Sequence, residues 1–76
     1  MVQKRSDVKL LTTLQMLVLA AAVNRGDEVA TLPGTGERRL VAAVFDEHRD
    51  EIVAAARTGS AAAARLVEEF DERSAP

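Results

Sequence analysis

Cysteine is missing from this 76-residue chain. That removes disulfide staples, thiolate metal sites and cysteine nucleophiles together. Tryptophan and tyrosine are missing too, and two phenylalanines are the only aromatic residues. A single histidine, His48, cannot build the common multi-histidine zinc sites from one chain. Neither sign of charge dominates, the formal net charge being -2. The chain therefore lacks the basic surface that generic polyanion binders carry. Its uncharged run, Leu10 to Asn24, is shorter than the ~20 apolar residues of a spanning helix. Thr12, Thr13 and Gln15 interrupt it further.

What remains is a small aliphatic domain. Leu, Val and Ala, with Ile52, Met16, Phe45 and Phe70, supply the core. Such a core is thin, and chains of this size are marginal without staples, metals or oligomerisation. Lys4, Arg5 and Lys9 make the amino end basic, while Glu68, Glu69, Asp71 and Glu72 make the carboxyl end acidic. Arg outnumbers Lys, and Ala and Val are abundant, a composition consistent with a GC-rich bacterial genome.

Apolar periodicity predicts an all-α, three-helix domain with helices near residues 7–24, 37–57 and 60–73. Ser6 and Asp7 are the expected N-caps of the first helix, and Arg25-Gly26 closes it. Pro33-Gly34 and Gly36 mark the connection as turn-rich. Val29 to Leu32 reads as a short extended piece. The second helix carries Val41, Phe45, His48, Ile52 and Ala56 on one stripe. Thr58-Gly59-Ser60 breaks the chain, and Ser60 caps a third helix with Ala63, Leu66, Val67 and Phe70 on its apolar face. An alternative α+β reading places a hairpin over residues 29–45 and starts a helix at Asp46. The chain reads as one domain, 1–76, with residues 1–5 and 74–76 frayed.

The first helix is apolar on nearly every side, and such a helix must be covered on nearly every side. Leu10, Leu14, Leu17 and Ala21 are expected to receive the other helices. Leu11, Met16, Val18 and Leu19 are then left over as an interface. This predicts a non-enzymatic, cytoplasmic interaction module, completed as a homo-oligomer or serving as an accessory subunit of a larger protein, without cofactor or metal.

Other readings attach to shorter features. Gly34-Thr35-Gly36 ahead of a helix start, with Arg38 and Arg39 in its first turn, would present amides and guanidinium groups to an anion or nucleic acid. A small DNA-associated regulator, antitoxin-like, is the second reading, although the helix after Thr58-Gly59-Ser60 is mostly acidic and repels phosphate. Lys4 and Arg5 before an apolar run ending in Ala20-Ala21-Ala22 give a third reading, a secreted peptide with residues 1–22 as signal. Leu32-Pro33-Gly34-Thr35-Gly36 has the letters of a sortase sorting signal but not the apolar stop and basic tail such a signal needs, so it reads as a turn. His48, between Phe45 and Ile52, is the expected pH-sensitive or interface residue, or else a half-buried ring bonded to a carboxylate.

Overall fold

The computed structural model describes residues 10–71. It is mostly helical with a small two-stranded sheet. Helix α1 spans Thr13–Arg25, strands β1 and β2 span Val29–Thr31 and Arg38–Leu40, and helices α2, α3 and α4 span Val41–Glu47, Arg49–Arg57 and Ala61–Leu66. The chain after α4 widens into a π-helical turn over Val67–Asp71.

Helix α1 begins later than the sequence suggested. Residues 10–12 are not helical, and Thr12 rather than Ser6 or Asp7 is the N-cap. The Thr12 hydroxyl accepts from the Gln15 amide at 3.0 Å, and the Gln15 side chain accepts from the Thr12 amide at 3.0 Å. This capping box satisfies two of the amides that a helix start leaves open. At the other end Gly26 adopts φ 82°, and the Asp27 amide reaches back to the Ala22 carbonyl at 2.8 Å. The left-handed backbone explains why glycine closes this helix. Ser6, Asp7 and the ends expected to fray lie outside the described residues.

The second predicted helix is replaced by three elements. Arg38–Leu40 is a strand, paired antiparallel with β1 in the register Val29–Leu40, Ala30–Arg39 and Thr31–Arg38. The Leu32 amide donates to Glu37 at 2.8 Å and closes the Pro33–Gly36 turn. The hairpin of the alternative reading is thus present, but its second strand stops at Leu40 and Val41 to Phe45 are helical. No side chain caps α2. Instead the Val41 amide donates to the Glu28 carbonyl at 2.8 Å, so the hairpin satisfies a donor that a side-chain cap would otherwise take. Helix α2 ends at His48, whose φ -115° and ψ 26° leave the helical region. Helix α3 then starts at Arg49.

Thr58 and Gly59 turn the chain into α4, where the Ser60 hydroxyl accepts from the Ala63 amide at 3.1 Å. Helix α4 packs against both α1 and α3. Ala22, Ala62 and Ala63 are buried there, which lets backbones approach closely. Leu19, Val41, Val44, Phe45, Ile52 and Leu66 form the centre of the core. Phe70 brings its ring to 5.4 Å from that of Phe45, and the Arg49 guanidinium sits 5.0 Å from the Phe45 centroid.

The face of α1 that turns inward is the reverse of the sequence expectation. Leu19 is fully buried and Met16 is buried, while Leu11 and Val18 are half-buried against the core. Leu14 and Leu17 remain 58% and 52% exposed, and Leu10 is 70% exposed. Both stripes are apolar, so periodicity alone had no polar side with which to choose between them. Leu19→Ala is expected to cost about 2–5 kcal/mol of unfolding free energy. Leu17→Ala should change it by no more than about 0.5 kcal/mol, as surface substitutions do. Urea unfolding of the dilute chain reads both, and the opposite ranking would place Leu17 in the core.

Candidate functional site

Two surface features gather the residues that sequence reasoning singled out. The first is the outer face of α1. Leu14, Leu17, Ala21 and Arg25 follow one another at helical spacing (i, i+3, i+7, i+11). Leu14, Leu17 and Arg25 are exposed, and Ala21 is half-buried. Leu10, just upstream, lies in a shallow concavity shared with Asp46, Glu47, His48, Arg49, Asp50 and Glu51. The face carries no charge between Leu10 and Asn24. Of the four expected interface residues, Met16 and Leu19 belong to the core and Leu11 and Val18 flank it. The exposed leucines are ones that the sequence pattern places in the interior.

The second feature is a polar clasp at the α2–α3 junction. The His48 Nδ1 lies 2.7 Å from a Glu51 carboxylate oxygen, and the other Glu51 oxygen accepts the Leu11 amide at 2.6 Å. Glu51 thereby ties the segment before α1 to α3. The His48 Nε2 is 3.6 Å from Glu47, and Glu47 takes two bonds from the Arg39 guanidinium, at 3.1 and 3.3 Å. His48 is thus a half-buried ring at the core's edge, with carboxylates on both nitrogens. In the sequence Glu51 is one of four acids close to His48, with Asp46, Glu47 and Asp50, and nothing local distinguishes it. Its pairing depends on residue 11 returning to α3, forty positions away in the chain.

The geometry weighs against the anion-binding loop. The glycines at 34 and 36 lead into a strand, so no helix N-terminus follows them. The Gly36 amide donates to Leu32, and the Glu37 amide to the Thr35 hydroxyl. Arg38 and Arg39 are successive strand residues and so project to opposite faces. Arg39 is committed to Glu47. Elsewhere Arg25 pairs with Asp27, and Arg49 pairs with Asp46 and Asp71. Arg65 bonds Asn24 at 2.8 Å and also meets Glu68 and Glu69.

Among the described residues no polar or charged side chain is buried, and no group of three His, Asp or Glu residues is placed to hold a metal. A concavity of about 430 Å³ between α1, the hairpin and the π-helical turn is lined by Val23, Leu40, Val41 and Phe70 together with Asp27, Glu28 and Glu69. No helix among the described residues is long and apolar enough to cross a membrane. Removal of residues 1–22 would take Met16, Leu19, Ala20 and Ala22 out of the core. No family model matches the chain, and no characterised protein or solved structure is significantly similar to it.

The Arg39 guanidinium, first by its hydrogen bonds and then by its charge, holds the Glu47 carboxyl below the usual carboxylate range. A carboxyl depressed in the fold stabilises it above the unfolded-state value and loses that contribution as pH falls through the folded-state value. Arg39→Gln should therefore raise the Glu47 titration midpoint, followed by carboxyl NMR. An unmoved midpoint would show that the pair is not formed in solution.

Proposed function

We propose that the chain is a non-enzymatic protein-interaction module whose contact surface is the outer face of α1. The observation that carries this reading is the exposure of Leu14 and Leu17 on a helix whose opposite face already fills the core. Leu10 extends the apolar surface upstream, beside the α2–α3 junction. Single exposed leucines are ordinary on protein surfaces, whereas adjacent ones on an uncharged face mark places where another surface docks. Full burial of a leucine side chain stabilises by roughly 1.5–3 kcal/mol. Covering the exposed parts of several is thus sizeable beside the 5–15 kcal/mol that holds a typical domain together.

The proposal includes a cytoplasmic setting and a role either in self-association or as an accessory subunit. A reading as a DNA-associated regulator has less support, because among the described residues Arg25, Arg39, Arg49 and Arg65 are engaged by carboxylates. A catalytic role draws no support from the concavities described above, whose lining residues do not pair a nucleophile with a base.

Leu14→Gln with Leu17→Gln tests the reading, since glutamine is nearly as good a helix former as leucine. The double variant should keep its helical circular dichroism, with unfolding free energy within about 0.5 kcal/mol of the parent. It should lose whatever association or apolar-dye binding the parent shows. Unfolding of the variant, or binding that persists unchanged, would remove α1 as the contact surface.

A further inference from the structure

We infer that His48 and Glu51 form a proton-dependent latch, closed while the His48 ring is charged, that holds the segment before α1 against α3. Three observations carry it: one carboxylate bridging two donors, a carboxylate at each ring nitrogen, and neighbouring arginines committed elsewhere.

Glu51 is the joint. One of its oxygens accepts the Leu11 amide at 2.6 Å, and the other lies 2.7 Å from the His48 Nδ1. The Glu51 side chain is 21% exposed and that of His48 15%. A carboxylate with so little water around it needs donors that stay in place. Leu11 is itself half-buried against the core. The bond therefore fixes a segment that also packs.

The ring meets acids on both sides. Its Nε2 is 3.6 Å from Glu47, an ion-pair distance. A neutral imidazole carries a proton on one nitrogen and a lone pair on the other. With the proton on Nδ1 it bonds Glu51 and turns a lone pair toward Glu47. With the proton on Nε2 it turns a lone pair on Glu51 at 2.7 Å, where two acceptors repel. Only the charged ring presents a proton to both carboxylates.

The other charges on this shelf make Glu51 depend on the ring. Around His48 stand Asp46 and Glu47 from α2 and Arg49, Asp50 and Glu51 from α3, with Leu10 beside them. Arg39 reaches from β2 to Glu47, and Arg49 is paired with Asp46 and with Asp71 of the π-helical turn. Among the described residues, the cation left for Glu51 is His48 itself. Once the ring is neutral, Glu51 lies near Glu47 and Asp50 without a counter-charge, and hydration of its carboxylate competes with the Leu11 bond. Hydrogen bonds between charged partners are roughly twice as strong as neutral ones. The latch is thus closed on the acid side of the range in which histidine changes charge, about pH 5 to 8, and loosens as pH rises through it. Leu10 moves with the latch. On the interaction reading above, the charged ring therefore holds the upstream edge of the exposed α1 face in place, although the latch itself does not depend on that reading.

The test is NMR of the full chain across about pH 5 to 8, following the Leu11 amide and the His48 ring together. The amide signal should move with the ring's own titration. Its protection from hydrogen exchange, corrected for the intrinsic rate, should fall roughly five-fold as the ring loses its charge. The Ala63 amide, which bonds the uncharged Ser60 hydroxyl, is the control and should not respond. Glu51→Gln keeps an oxygen for the Leu11 amide but no charge, and His48→Gln keeps a donor but no titration. In both the Leu11 response should be lost, with circular dichroism confirming that each is folded. A Leu11 amide indifferent to the ring's titration in the parent chain overturns the proposal without any variant. So does a response shared equally by Ala63, or one that persists in either variant. Association and dye binding are not read in this experiment, so failure of the latch leaves the α1 reading standing, and loss of that reading leaves the latch.

Discussion

Leu19, fully buried where α1 meets the rest of the domain, stands for the constraint on which the architecture rests. One helix has to provide the inner wall against which the hairpin, α2 and α4 are assembled. It does so with a narrow set of side chains, Met16, Leu19, Ala20 and Ala22. A domain of this size has little else with which to close its interior. Covering one side of a helix that is apolar on two leaves the other side in water, and the outer leucines are that remainder.

The hairpin turns a local pairing into a fixed helix direction. Strand β2 runs directly into α2, and the Val41 amide bonds to the Glu28 carbonyl. The first turn of α2 is therefore oriented by the sheet rather than by a capping side chain. Gln15 strengthens the arrangement from the other side by donating to the Pro33 carbonyl at 2.9 Å. The same residue completes the capping box of α1. Helix start and hairpin turn are thus set together by one side chain.

Much of this was legible in the chain. Gly26, Gly59 and Ser60 act at the helix boundaries where their backbone and capping chemistry put them. The short extended piece after Glu28 is a strand. The capping pattern Thr12-x-x-Gln15 is also visible in the sequence, in competition with Ser6 and Asp7 upstream. Three things were left open by the sequence, each for a physical reason. Arg38–Leu40 suits a helix start as well as the second strand of a hairpin, and pairing with β1 makes it extended. The break at His48 coincides with its bond to Glu51, an acid that also serves Leu11. The inward face of α1 was undetermined because Leu14 and Leu17 are as apolar as Met16 and Leu19, so neighbouring elements made the choice. The exposed patch was therefore foreseeable as a surplus but not as particular residues.

The alanines between α1 and α4 carry a longer consequence. Where Ala22 and Ala63 are sealed from solvent and the helix backbones lie close, larger side chains cannot be added without prying the helices apart. The interior is closed to growth by substitution. A firmer version of this domain has to be sought away from that seam, in helix caps, turn residues and surface charge, where a substitution meets no facing backbone.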